Sequence, residues 1–256
     1  MMISVTILTQ NSQKHLAEVL KSLNNFSEVI LIDHGSNDNT LQIAAQYSNV
    51  TVHQREFKGF GPAHNEAASL CQYNWILSVD SDEILSPALQ EELNKLALDP
   101  SKVYSFPFHN FYNGKHIKGC GWYPDRHVRL YNKTRTQFTN TYVHERIITQ
   151  TLQEEPLEHP IFHFSYHSIE DFIRKMQIYS DLFAQQYVGK KQSSLSKAIL
   201  HGCFAFIKTL IIKRGFTDGI EGFIIAVYNA NTAFYKYLKL LEANRRRKDL
   251  ESSDTR

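Results

Sequence analysis

Trp75-Ile76-Leu77-Ser78-Val79-Asp80-Ser81-Asp82-Glu83 decides the fold. A short, nearly unbroken apolar run bounded by polar residues reads as a strand buried on both faces. Outward toward the N-terminus, Ile3–Leu8, Val29–Asp33 and Val50–His53 read the same way. Helical signals separate them. Ser12 is placed to cap a helix bearing Leu16, Val19, Leu20 and Leu23, and Leu41, Ala44 and Ala45 mark a second. Pro62 to Cys71 suits a helix with proline in its first turn, and Ser86-Pro87 opens one bearing Leu89, Leu93 and Leu96. Strand and helix in alternation mean an α/β domain with an open parallel sheet, whose ligands sit beyond the carboxyl ends of the strands.

The pattern changes after Asp99-Pro100. Val103–Phe108, a turn at Asn113-Gly114, His127–Asn132 and Pro160–Ser165 read as shorter, partly antiparallel strands. From Ser168, which forms a capping box with Asp171, the chain is helical. The expected division is an α/β domain over 1–167 and an α-helical extension over 168–256. With 28 Lys and Arg against 26 Asp and Glu, the balance is too even for a general nucleic-acid binder. Cys71, Cys120 and Cys203 are too few and too scattered for a disulfide framework or a paired zinc motif, so a reducing cytoplasm is the simplest home. The N-terminus shows no targeting pattern. The most lipid-like stretch, Ala198 to Ile212, is interrupted by His201 and Lys208 and falls short of the roughly 20 apolar residues of a spanning helix.

Three segments lie where such a sheet presents its ligands. In Asp33-His34-Gly35-Ser36-Asn37-Asp38-Asn39-Thr40, an acid at a strand end can accept from a nucleobase imide or a ribose hydroxyl, and Gly35 permits a tight turn. The plain alternative is a turn with Asn37 or Asp38 as helix cap. In Asp80-Ser81-Asp82-Glu83, neighbouring carboxylates repel unless a cation or an extensive hydrogen-bond set offsets them. Their hard oxygens suit Mg²⁺ or Mn²⁺ shared with substrate phosphates, and the alternative is a solvated acidic cap. In Gly121-Trp122-Tyr123-Pro124-Asp125-Arg126-His127-Val128-Arg129, two aromatics can stack on a sugar and Asp125 can take a hydroxyl proton. A salt bridge from Asp125 to Arg126 or Arg129 is the alternative.

Together these segments, with Ile3–Leu8 and Gly59–Asn65, resemble the family 2 glycosyltransferases of the nucleotide-diphospho-sugar (GT-A) fold over residues 3 to about 165. Gly121–Asp125, Arg129-Leu130-Tyr131, Val143-His144-Glu145, His163-Phe164-Ser165-Tyr166 with Lys175 and Tyr179, and Gly215–Gly219 with Gly222 look like the lipopolysaccharide-core β-1,4-glucosyltransferase group. The resemblance implies inverting transfer of glucose from UDP-glucose to an inner-core heptose of a lipid A-linked acceptor. It implies that Asp33 contacts the uracil, with Gly35 and Asn65 beside the nucleotide-sugar and Asp80 at the ribose or metal region. Asp82, completed by His163, would hold Mg²⁺ or Mn²⁺, and Asp125 would be the general base. Trp122, Tyr123, Arg129 and Glu145 are the expected acceptor contacts, Glu145 being a second candidate base or a partner of Arg146 or Arg129. Many members carry an acid where this chain has His34. Another donor, such as UDP-galactose, or another acceptor is the rival within the family.

His159, His163 and His167 are spaced by four, but Pro160, Ile161, Phe162 and Phe164 favour a strand. Four strand residues span about 13 Å, too far for a shared three-histidine site. Lys236–Arg256 carries seven basic and four acidic residues and follows or interleaves Phe223, Ile224, Val227, Phe234, Tyr235, Leu238 and Leu241. Such a segment suits peripheral contact with an anionic cytoplasmic leaflet, where a lipid-linked acceptor lies. Val79-Asp80-Ser81-Asp82 also resembles the nucleophile strand of haloacid dehalogenase-type phosphatases, although the later acidic pair and lysine are not evident. A non-catalytic sugar-nucleotide-binding protein would lack the base, and Asp125 is present.

Overall fold

Strands β1 (Ile3–Thr9), β2 (Glu28–Asp33), β3 (Val50–Gln54) and β4 (Trp75–Asp80) pair in parallel in the order β3-β2-β1-β4. The computed structural model describes residues 2–142 and 145–253. Helices α1 (Leu16–Ser22), α2 (Thr40–Ala44) and α3 (Phe60–Leu70) connect these strands. Alternation along the strands fills two layers. Ile3, Val5, Ile7, Val29, Leu31, Leu77 and Val79 pack with Leu16, Val19 and Leu20 of α1, while Ile30 and Ile76 pack with Ala68 and Cys71 on the other face. Covering both faces is what makes these strands apolar throughout.

After β5 (Glu83–Leu85) and α4 (Pro87–Lys95) come β6 (Lys102–Tyr112), β7 (Lys115–His116), β8 (Arg126–Asn132), β9 (Gln153–Pro156) and β10 (Ile161–Tyr166). The order continues β4-β8-β6-β10-β5, with β7 and β9 also paired to β6. Beyond β4 the pairings of β8 with β4 and β6, of β7 with β6 and of β10 with β5 are antiparallel, whereas β6 with β9 is parallel. The α/β class is as expected, and β5, β7 and β9 are additions. Ser86 caps α4 as read, its Oγ accepting from Leu89 N at 3.2 Å. Ser12 does not cap α1. That helix begins after His15 without a side-chain cap, and Ser12 Oγ instead meets Ser81 Oγ at 2.8 Å, joining two loops at the ligand end of the sheet.

The chain divides into two compact units, Met1–His109 with Asp125–Phe164 and Asn110–Pro124 with Ser165–Arg256. The helical unit therefore includes a loop that lies within 1–167, the segment expected to be one domain. Within it, Asn113 and Gly114 both adopt positive φ in the two-residue turn between β6 and β7, as their sequence predicts. Asp218 organises this loop. Its buried carboxylate accepts from Lys118 N at 3.2 Å and Gly119 N at 2.6 Å, and its carbonyl accepts from Lys115 Nζ at 2.6 Å. Gly222 is needed because a Cβ there would stand 1.8 Å from the Gly215 carbonyl oxygen. Helices α5 (Ile169–Tyr187), α6 (Leu195–Ile207) and α7 (Gly219–Ser253) complete the unit, with a π-helical turn over Lys208–Ile212. Leu195–Ile212 is thus one 18-residue helical stretch, apolar and long enough to cross a membrane by length and composition.

His64 on α3 is buried, stacked on Phe138 with ring centres 4.3 Å apart and Nδ1 3.3 Å from Ser78 Oγ. Burial pushes its pKa down to about 4, although Asp80 works the other way. The unfolded chain takes up the proton near pH 6.5 and the folded chain does not, so this contribution is complete above that pH. Stability should fall by roughly 3 kcal/mol between about pH 6.5 and 4 from this group alone. Urea unfolding of His64→Gln should show a flatter acid limb than the parent, and an equally steep one would remove His64 as its cause.

Candidate active site

The register of the sheet assembles the site. Thr9 pairs with Asp33 and Leu8 with Asp80, so both acids stand at the carboxyl end of the sheet with β1 between them. Two strand spacings separate them by about 10 Å. β8 runs antiparallel to β4, with Leu77 opposite Leu130, which brings the start of β8, and Asp125 just before it, to that same end. His163 pairs with Glu83 between β10 and β5. All of these residues belong to the first unit.

Asp33 is fully buried and its carboxylate serves its own turn. It accepts from Gly35 N at 3.1 Å, Ser36 N at 3.0 Å, Ser36 Oγ, and Thr9 Oγ1 at 3.3 Å. The one Thr9 hydroxyl proton is shared with the Ile32 carbonyl, also at 3.3 Å, so the carboxylate keeps capacity beyond its own turn. Gly35, at φ 90°, makes the turn possible. His34 Nδ1 lies 3.1 Å from the Arg55 carbonyl, which requires a proton on Nδ1 and leaves Nε2 as an acceptor. Shielded Nε2 has no hydrogen-bond partner, and Phe57 stands edge-on to the ring at 5.1 Å.

The acidic cluster has its cation within the protein. Arg129 Nη2 donates to Asp80 at 2.8 Å and to buried Glu83, while Glu83 also accepts from Asp80 N at 2.9 Å. Burial disfavours the Asp80 carboxylate, but Arg129, then His64, outweigh it and hold its pKa well below the usual range. Burial raises Glu83, Asp80 adds to the rise, and Arg129 opposes it without prevailing. Arg129 therefore positions acids and is not free for an acceptor, a correction to its expected role. Phe108 supports it, with the guanidinium carbon 5.4 Å from the ring centre and the rings of His127 and His163 edge-on at 4.9 and 5.9 Å.

Asp82 is about a third exposed, slightly less than Asp80, and its Oδ1 lies 3.7 Å from His163 Nε2. Its carbonyl accepts from Phe164 N at 3.0 Å, tying the loop to β10. Among the described residues no three His, Cys, Asp or Glu side chains gather to hold a metal. One carboxylate and one imidazole nevertheless suit a divalent ion whose remaining ligands are phosphate oxygens and water. His159 belongs elsewhere, 2.9 Å from Glu92, and the backbone N–H of His167 donates to Asp171.

Among the described residues, Asp125 forms no ion pair with Arg126 or Arg129. Its Oδ1 lies 2.9 Å from His127 Nε2, whereas Arg126 donates to the Ser105 and Leu157 carbonyls. Asp125 meets His127 two residues on, and Arg129, the extra residue where the β8 register shifts, lies with His127 against the Phe108 ring. That spacing was visible in the sequence, and His127 and Glu83 are the functional candidates the reading passed over.

The other expected contacts divide. Asn65 secures the 138–140 loop, donating to the Phe138 carbonyl at 2.9 Å and Asn140 Oδ1 at 3.1 Å and accepting from Phe138 N at 2.9 Å. Its expected place beside the nucleotide-sugar is thus replaced by a structural one. Trp122, in the helical unit, is stacked on Tyr166 at 5.4 Å, while Tyr123 remains exposed. Val143-His144 lies outside the described residues. Glu145 is half-buried and forms no ion pair with Arg129 or Arg146 among the described residues.

A mixed sheet with acids at the carboxyl edge of its parallel strands is the arrangement of the GT-A class of sugar-transfer domain. The profile of glycosyl transferase family 2 matches residues 4–159, and the chain belongs to that family. An uncharacterized glycosyltransferase of Rickettsia typhi is 28% identical, the alignment covering 98% of this chain and 91% of that protein. The lipopolysaccharide core biosynthesis glycosyltransferase LpsC of Rhizobium meliloti is 24% identical over 94% of this chain and 92% of its own length. Among solved structures, Staphylococcus aureus TarS 1–349 in complex with UDP-GlcNAc aligns with 96% of this chain and 90% of its own at 17% identity, with a TM-score of 0.46. Family membership sets aside the phosphatase reading.

Proposed function

We propose that this glycosyltransferase moves glucose from UDP-glucose to an inner-core heptose of a lipid A-linked acceptor, with inversion at the anomeric carbon. The observation that carries sugar transfer is the separation of two acids at one sheet edge, Asp82 beside His163 and Asp125 beside His127. The core acceptor rests on the sequence motifs and on the likeness to LpsC.

In this reading the Asp33–Ser36 turn, bent at Gly35, receives the uracil, as the resemblance implies for Asp33. Asp80, fixed by Arg129, faces the ribose. Asp82 and His163 hold a divalent ion, Mg²⁺ or Mn²⁺, which when bound neutralises charge growing on the departing diphosphate. Asp125 takes the acceptor hydroxyl proton as that oxygen attacks, and UDP leaves from the opposite side. Exposed Tyr123 supplies a surface for a sugar face.

Calorimetric titration with UDP, with and without Mn²⁺, tests the donor half. The parent should bind more tightly with the metal, and Asp82→Ala should lose that difference. Asp33→Asn should weaken binding about five- to tenfold in both conditions, the worth of one net hydrogen bond. An Asp82→Ala protein that keeps its full metal dependence overturns the ion site.

A further inference from the structure

Helix α6 and the π-helical turn after it present opposite faces of different character. One face is fixed to α7. Ala198, Gly202 and Thr209 are buried, and Asn229 Nδ2 donates to Thr209 Oγ1 at 3.1 Å. His201 stacks on Tyr237 with ring centres 4.1 Å apart, and a Cβ on Gly202 would come within 3.2 Å of Phe234 Cβ. The other face carries Leu195, Ile199, Leu200, Phe204, Ile207 and Ile211 in i, i+4 rows, all exposed, with Leu200 at 69% and Phe204 at 57%. The patch continues onto α7, where exposed Phe223 meets Phe206 edge-on at 5.8 Å. A contiguous apolar surface of this kind marks an interaction site rather than scattered surface residues.

Charge selects the occupant. Between Asp181 and Asp218 the chain has no acidic residue and six basic ones, Lys190, Lys191, Lys197, Lys208, Lys213 and Arg214. Lys197 and Lys208 stand on the helical stretch itself, Lys197 Nζ over the Tyr237 ring at 5.4 Å and donating to the Gln192 carbonyl at 3.2 Å. A protein partner cored on apolar residues does not need one-signed flanks, whereas anionic lipid headgroups around an acyl layer match both features. The face also opens into an apolar groove of about 470 Å³ between α6 and α7, lined by Ile199, Gly202, Phe206, Ile207, Val227 and Phe234.

We propose that α6 and its π-helical turn lie in the plane of an anionic bilayer, with the Leu200–Phe204 face among the acyl chains and the lysines at the headgroups. The polar and close contacts to α7 hold the segment to the helical unit, so it lies on the bilayer although it is long enough to cross one. This transfers membrane contact from the basic end of α7, where the sequence suggested it, to α6. It is independent of the donor and acceptor assignments.

The experiment is sedimentation of the full chain with phosphatidylcholine vesicles, with and without phosphatidylglycerol, in the absence of nucleotide. The parent should bind the phosphatidylglycerol vesicles and be displaced by salt. Leu200→Glu with Phe204→Glu should lower partitioning about a hundredfold, two buried side chains at roughly tenfold each. Lys197→Gln should lower it about fivefold. Both replaced apolar residues are exposed, so the fold and UDP binding are unaffected. A polarity-sensitive fluorophore on exposed Cys203 should shift to the blue with the same vesicles, an independent reading on otherwise unaltered protein. No binding at low salt, equal binding to neutral vesicles, or an unaffected glutamate variant overturns the proposal. A dimer that the glutamate pair dissociates, without vesicle binding by the parent, assigns the face to a second copy and overturns it also.

Discussion

Asparagine at Asp125 leaves UDP binding unchanged and lowers turnover about 10²–10⁴-fold, the usual worth of a positioned general base and roughly 3–5 kcal/mol of barrier. The side chain keeps its size, so the strand edge and the Phe108 N–H bond to the Asp125 carbonyl at 2.9 Å persist. What disappears is the anionic oxygen that accepts the hydroxyl proton in the proposed reaction. His127, 2.9 Å away, orients that carboxylate, which separates its phenotype from that of the base itself. His127→Phe should reduce kcat by a smaller factor while KM for the donor holds, and His127→Asn should recover part of that loss. Turnover retained by the asparagine variant would remove Asp125 from the chemistry and bring Glu145 forward.

Replacing Arg129 by methionine gives the largest expected loss of stability. The guanidinium is the cation between Asp80 and buried Glu83, and both acids would then face each other without it. Breaking such an arrangement by removing one partner costs about 3–5 kcal/mol, because the remaining charge stays buried. Lysine restores the charge but not the planar fork, so Arg129→Lys should recover only part of the loss. Glu83→Gln in the methionine background removes one of the opposed acids and should recover more. Urea midpoints of the three proteins decide it. Equal midpoints for methionine and arginine would show that Glu83 is neutral and Asp80 solvated without help.

Most of the sheet was legible because a strand buried on both faces can hardly be written otherwise than Ile3–Thr9 or Trp75–Val79. Local chemistry with a single geometric solution was legible too, as in Ser86-Pro87 opening α4 or Asn113-Gly114 turning β6 into β7. Residues with two possible partners were not. Ser12 could cap α1 or meet Ser81, and only the parallel register of β1 with β4 decides it. The pairing of Arg129 with Asp80, 49 positions earlier, follows from the antiparallel register of β8, which no local spacing carries. Asn65 read as a ligand contact for the same reason, its amide bonding a loop more than 70 residues away.

Asp218 sets a condition on recombining these enzymes. A chimera joined at the start of the C-terminal helices would inherit the aspartate from one parent and the loop it organises from the other. The Lys118 and Gly119 amides would then meet a carboxylate that evolved beside different backbone. Exchanging Asn110–Pro124 together with Ser165–Arg256 keeps the pair in one lineage. The heritable module of this fold is therefore two stretches of chain far apart in sequence, and crossover points that respect it should yield soluble hybrids where a single junction does not.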